Sequence, residues 1–253
     1  MIEEKDIFGF CFVACAPLRA AESDESEIVS QLVFGEPIKI VSLNENWSKV
    51  KSGIDGYEGY VDPKQFFSLS NNEYLEWKKE ATYLKTMRAQ LVSEENGTHT
   101  IFRGSLVGKT SAFSIGPYTF RLAEDVPLKT TAWGLSLDYL NTPYLWGGKT
   151  PSGIDCSALT QVIYRLFGYE LPRDASNQVS KGYEIPFAQK KTGDLAFFEN
   201  INGSITHVGI IGPQDQIIHA AGFVKIDLLT EAGIWNKNYK KCTHKLFSIK
   251  RIL

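Results

Sequence analysis

The stretch Gly153-Ile154-Asp155-Cys156-Ser157-Ala158-Leu159-Thr160-Gln161-Val162-Ile163-Tyr164-Arg165-Leu166-Phe167 decides how this chain reads. Leu159, Val162, Ile163, Leu166 and Phe167 recur at helical spacing, so a helix over 155–167 carries one apolar stripe. Asp155 and Ser157 are N-cap-type residues at its start, and Pro151-Ser152-Gly153 supplies a tight turn before it. A cysteine in the first helical turn meets backbone N–H dipoles that stabilise its anion, and only the thiolate attacks a carbonyl well. Taken alone, Cys156 reads equally well as a small buried cysteine at a helix end.

The histidines break that tie. Only four occur, and His207 and His219 lie twelve residues apart on either side of the turn Gly212-Pro213-Gln214-Asp215, in runs that read as strands. With Ile210 paired to Gln216, an antiparallel register sets His207 directly opposite His219 on one face, whereas a slip of one residue separates them. His207 then acts as general base and ion-pair partner to Cys156, while His219 bonds the other ring nitrogen and orients it. His99 and His244 have no such context and read as solvated bystanders. Around this pair the spacing predicts helices over 130–140, 155–167 and 174–182. Strands are expected over 194–198, 205–211, 216–220 and 245–252, which makes 129–253 an α+β domain.

The chain ahead of residue 129 has a different texture. Runs 8–14, 28–34, 38–43, 47–50 and 59–61 read as strands, punctuated by Gly35-Glu36-Pro37, Asn44-Glu45-Asn46 and Asp55-Gly56. A small barrel over 1–70 follows. The frame Gly35-Glu36, Trp47-Ser48-Lys49-Val50 and Gly56-Tyr57-Glu58-Gly59-Tyr60-Val61 resembles a bacterial SH3-like domain, with Tyr60 where that family usually has Trp. Residues 71–78 read as a polar bridge with one helical turn. Runs 82–92, 98–102 and 111–122 predict a second, degenerate SH3-like barrel over 71–128.

Composition narrows the function. The chain has 253 residues, 43% of them hydrophobic and a formal charge of -2, so a real core is possible and nothing drives nucleic-acid binding. No apolar run approaches the ~18 residues that cross a bilayer. The apolar run 7–16 follows Glu3, Glu4 and Asp6, so it reads as a strand and not as an export signal. Four irregularly spaced cysteines with no CxxC pair argue against zinc. Cys11 and Cys15, placed on one extended strand, stand roughly 13 Å apart, too far to bridge. Reduced thiols and a cytoplasmic location are the expectation, with no metal, no cofactor, no nucleic-acid or membrane partner, and a monomer.

Six motifs then follow one another in order: Tyr144-Leu145-Trp146-Gly147-Gly148, Gly153-Ile154-Asp155-Cys156-Ser157, Leu171-Pro172-Arg173-Asp174-Ala175-Ser176, Thr192-Gly193-Asp194-Leu195, His207-Val208-Gly209-Ile210 and Ile218-His219-Ala220. Over about 131–253 the chain resembles the NlpC-type (p60) cysteine peptidases, a papain-like family that cleaves cell-wall peptides. Ala158 departs from the family's usual Gly, a change a helix accepts. The resemblance implies Cys156 as nucleophile, His207 as base, His219 as orienting third member and Tyr144 beside the oxyanion site, with the Cys156 backbone N–H as the other donor. The expected whole is therefore multidomain, two small SH3-like β-barrels followed by an α+β papain-like peptidase domain.

SH3-like domains ahead of such a peptidase resemble the enzymes that cut γ-D-glutamyl–L-diamino acid bonds in murein peptides with a free N-terminal L-Ala, releasing L-Ala-γ-D-Glu. That implies carboxylate and phenol groups capturing the amine, which a blocked peptide would leave unpaired. Asp174 matches the family's acidic residue. Tyr57 and Glu27 (or Glu25) are the expected barrel contacts, and Trp146, Asp155 and Ser157 join the expected substrate contacts. Arg173 meets a substrate carboxylate or pairs with Asp174. The competing expectations are an exported murein hydrolase with wall-binding barrels and a non-catalytic murein-peptide binding protein.

Overall fold

The computed structural model describes residues 7–93, 97–123, 131–238 and 240–253. The chain divides into two compact units, residues 1–128 and 129–253. The expected domain boundary at 128/129, and Thr130 as the first residue of a helix, lie outside the described residues.

In the first unit seven antiparallel strands form one sheet in the order Ile28–Val33, Cys15–Arg19, Glu58–Val61, Ser48–Ser52, Pro37–Leu43, Ile7–Cys11, Phe66–Leu69. Alternate residues point inward, and Cys11, Leu18, Leu32, Ile38, Val50, Val61 and Phe66 fill the interior. The expected strand 8–14 ends at Cys11, and a new strand starts at Cys15 after a bend. The two cysteines therefore do not share the extended segment from which their separation was reckoned, although both are free thiols.

The polar bridge is a helix of ten residues, Asn71–Glu80, and not a single turn. Its stability is local in origin. Ser70 Oγ accepts from the Glu73 N–H at 3.3 Å while the Glu73 carboxylate accepts from the Ser70 N–H at 2.7 Å, a reciprocal cap. Tyr74 and Trp77 face inward and join Phe10, Phe34, Leu91, Ile101 and Phe120 in one apolar cluster. A four-stranded sheet, Gly97–Phe102, Arg88–Ser93, Tyr118–Leu122, Ala112–Ile115, lines the other side of that cluster. Trp77 Nε1 donates to the Gly35 carbonyl at 2.7 Å. Gly35 has φ +76°, and a Cβ there would sit 2.1 Å from the Leu106 carbonyl oxygen, so only glycine fits.

The second unit sets helices against a curled sheet. Its strands run Tyr183–Glu184, Lys241–Arg251, Leu195–Glu199, Ile205–Ile211, Gln216–Ala221, Phe223–Thr230, Gly233–Asn236, and the last pairs back onto Lys241–Arg251 to close the sheet. Closure removes a free edge. Strands Phe223–Thr230 and Gly233–Asn236 were not expected from the sequence. The helix Cys156–Arg165 packs against Ile205–Ile211 and Gln216–Ala221 and is buried on every side, so its polar residues need partners as much as its apolar ones need contacts. Thr160 Oγ1 donates to Gln178 Oε1 at 2.7 Å and Gln161 Nε2 donates to the Leu171 carbonyl at 2.9 Å. Leu166 and Phe167, assigned above to the apolar stripe, lie past the helix end.

Candidate active site

Asp155 caps the Cys156–Arg165 helix, its Oδ1 accepting from the Ala158 N–H at 2.8 Å, which places Cys156 at the first helical position. Its Oδ2 accepts from the Gly147 N–H at 2.9 Å and ties the preceding turn to the helix start. A Cβ on neighbouring Gly148 would lie 2.4 Å from the Gly153 carbonyl oxygen, so the two segments close only around glycine. The Tyr144 segment bridges Ile154 and so lies alongside the chain that enters the helix.

Cys156 is only 6% exposed. Burial pushes its thiol up to about 12, the Asp155 carboxylate adds to that, and the N–H groups of Val208 and Ser157 with the Arg173 guanidinium oppose it. The helix-start N–H works in the direction expected from the sequence, but burial outweighs it. The Val208 N–H at the sulfur also brings the strand bearing His207 beside Cys156. His207 is held well below its usual value, by burial first and then by His219, His244 and Lys225. Both directions favour the neutral thiol and the neutral imidazole over the ion pair expected above. Burial, the nearby Cys156 and Asp155 raise the Tyr144 phenol, which stays protonated and able to donate.

His207 Nε2 and His219 Nδ1 are 2.8 Å apart. The hairpin differs from the expected register: Ile210 pairs with Ile218, not with Gln216. The Gly212 N–H donates to the Gln216 carbonyl at 2.7 Å and closes the turn two residues later than supposed. An even shift keeps both side chains on one face, so the histidines meet diagonally and not directly opposite.

His244 is no bystander. Its ring stacks on His207 with centroids 4.3 Å apart and planes at 27°, and burial, with His219 and Lys225, pushes it down to about 4. The ring therefore stays neutral and covers one face of His207. His99 is also not a solvated side chain: it lies edge-on to Phe12, and its buried Nε2 has no hydrogen-bond partner among the described residues. Asp227 escaped the sequence reading altogether. Its Oδ2 lies 3.1 Å from His219 Nε2. The alternation Val224-Lys225-Ile226-Asp227-Leu228 was the available strand signal, set directly after the His219 strand.

The other expected contacts fall into separate places. Asp155, Ser157 and Arg173 form one buried cluster. Arg173 clamps both Asp155 oxygens through Nη1 and Nη2, and Nη1 donates to Ser157 Oγ at 2.9 Å. Its partner is thus Asp155, a pairing the sequence had not suggested. Trp146 is 59% exposed on the turn before the helix. Asp174 is half-buried at the start of the short helix Ala175–Gln178. In the first unit, Tyr57 lines a 340 Å³ groove with Arg19, Lys49, Glu58 and Tyr60, while Glu25 and Glu27 are exposed.

Residues 141–244 match the NlpC/P60 family, and residues 18–66 match the bacterial dipeptidyl-peptidase Sh3 domain. The gamma-D-glutamyl-L-lysine dipeptidyl-peptidase of Bacillus subtilis (strain 168) is 28% identical, over 81% of this chain and 77% of that relative. Dipeptidyl-peptidase 6 of Lysinibacillus sphaericus is 27% identical, over 79% of this chain and 83% of its own length. The crystal structure of an NlpC/P60 family protein from Bacillus cereus superposes with a TM-score of 0.79 across 97% of this chain and 99% of that one, at 20% identity. The fold is thus an SH3-like N-terminal region followed by a papain-like NlpC/P60 domain.

Proposed function

The chain is a cysteine peptidase of the NlpC/P60 family, and from that premise we propose that it hydrolyses the γ-D-glutamyl–L-diamino acid bond of murein peptides with a free N-terminal L-Ala. The product is L-Ala-γ-D-Glu, and the setting is cytoplasmic recycling of wall peptides. Two relatives named as dipeptidyl-peptidases, aligned over most of this chain, support the bond. The observation that carries the chemistry is the hydrogen-bonded His207–His219 pair beside a cysteine at a helix start.

The proposed steps use a thiol, two imidazoles and a phenol. As substrate seats, His207 Nδ1 takes the Cys156 proton and Sγ attacks the γ-carbonyl carbon. The oxyanion takes hydrogen bonds from the Tyr144 phenol and the Cys156 N–H. Collapse breaks the C–N bond, and the His207 imidazolium protonates the departing amine. Water, deprotonated by His207, then attacks the thioester, releasing the dipeptide acid and restoring the thiol. His219 holds the base throughout.

The test is to incubate the protein with L-Ala-γ-D-Glu-diaminopimelate, its L-lysine counterpart and the N-acetylated forms, reading products by mass spectrometry beside Cys156→Ala. Release of L-Ala-γ-D-Glu from the free peptides alone is the expected result. Equal cutting of the acetylated forms would remove amine selectivity and favour an exported wall hydrolase, and no cutting of any would overturn the substrate assignment.

A further inference from the structure

The hydrogen-bond chain behind Cys156 does not stop at the second histidine. Asp227, on the strand Phe223–Thr230, faces His219 Nε2 at 3.1 Å, and His219 is fully buried. The position of every proton follows from the acceptor at the far end. Burial alone would raise the Asp227 carboxyl, but the hydrogen bond from His219 and the charge of Lys225 hold it below the usual range, so it is an acceptor only. The proton it shares therefore sits on His219 Nε2, and the neutral ring carries its lone pair on Nδ1. That lone pair faces His207 Nε2 at 2.8 Å, so His207 must donate from Nε2. A neutral His207 then has its lone pair on Nδ1, the atom left to receive the thiol proton. The reverse tautomers would set lone pair against carboxylate in a buried site.

We propose that Asp227 is a positioning residue that fixes, through two successive imidazoles, the tautomer of His207 and hence which nitrogen serves as base. The proposal rests on Cys156 and His207 being the reacting pair. When His207 takes up the proton, the same two hydrogen bonds set the carboxylate against the new positive charge, stabilising the imidazolium that must form. The charged and titratable groups around this chain are His207 on Ile205–Ile211, Lys225 at 3.6 Å from Asp227 on its own strand, and His244 with its ring 5.7 Å from that of His219. Lys225 moderates the carboxylate, and neutral His244 adds no charge.

The test compares Asp227→Ala and Asp227→Asn with the parent protein, each checked for folding by circular dichroism. Two readouts need no peptide: histidine 15N NMR, which reports the tautomer of each ring, and the iodoacetamide alkylation rate of Cys156 against pH, mapped by mass spectrometry. A third is kcat and KM on the peptide. In the parent, both rings should carry the proton on Nε2. In Asp227→Ala, His219 should lose that preference, with Cys156 alkylation near neutral pH and kcat each falling about 10- to 100-fold while KM holds. Asp227→Asn, whose carbonyl still accepts from Nε2, should recover part of the loss. Unchanged tautomers and alkylation in Asp227→Ala would overturn the proposal. If the alkylation and NMR effects appear while no murein peptide is cut by the parent, the substrate reading fails and the positioning role stands.

Discussion

Asp155→Asn offers the sharpest probe of how Cys156 is held at the helix start. The side chain keeps its size and can still cap the helix through Oδ1, yet the carboxylate that Arg173 clamps is gone. Arg173 is 3% exposed, so its guanidinium is left buried beside an amide. Breaking one half of a buried ion pair costs about 3–5 kcal/mol because the remaining charge stays desolvated. Such a loss lowers the melting temperature of a unit this size by about 10–20 °C. Arg173→Met should cost less than Asp155→Asn. The Asp155 carboxylate then keeps the N–H groups of Gly147 and Ala158 and the Ser157 hydroxyl, at 2.9, 2.8 and 3.1 Å. The double variant, which has no stranded charge, should be more stable than Asp155→Asn alone by about 1 kcal/mol or more. With two units in the chain, whole-molecule melting mixes transitions. Hydrogen exchange of the 156–165 amides across a urea series isolates this one. A cost below about 1 kcal/mol for Asp155→Asn, or strictly additive singles, would refute the claim that this pair is a buried structural clamp.

Three further outcomes are expected. His244→Ala should lower kcat about 2- to 10-fold by removing the ring stacked on His207, and should raise the His207 pKa as water reaches it, read by NMR titration. His207, His219 and His244 all have folded-state values below the unfolded one of about 6.5, so the unfolded chain binds more protons in that window. Stability of 129–253 should therefore be fully present above about pH 6.5 and fall on acidification toward the folded values, seen as a lower urea midpoint for the 156–165 amides at about pH 5 than at about pH 7.5. Gly35→Ala should destabilise the first unit by about 2–5 kcal/mol, because the new Cβ meets the Leu106 carbonyl oxygen 2.1 Å away at a left-handed φ. Exchange of the 38–43 amides reads that loss separately from the second unit.

Much of the catalytic unit was legible because its signals are short-range. Asp155 before Cys156 is a cap before an apolar run, and a capped helix start is written within four residues. The parity of a strand is equally local, which is why His207 and His219 share a face although the expected register was off by two. The misses have local signals overridden by distant contacts. The helix Asn71–Glu80 looked polar because only Tyr74 and Trp77 are buried, and its inner face is made by strands elsewhere in the unit. His244 looked solvated because the ring it covers belongs to a strand some forty residues earlier.

The capped helix opening at Cys156, the shared face of His207 and His219, and the order of a β-rich region before an α+β unit were all readable along the chain, since each rests on residue chemistry and on periods of two or 3.6 over a few residues. What surrounds and holds those groups is set only on folding. Only folding buries the Cys156 thiol and the His207 imidazole, which pushes the first up and the second down. It also sets Arg173 on Asp155 and carries Asp227 to the back of His219. Desolvation and hydrogen bonds between separate strands are properties of the closed sheet, and no window along the chain contains them.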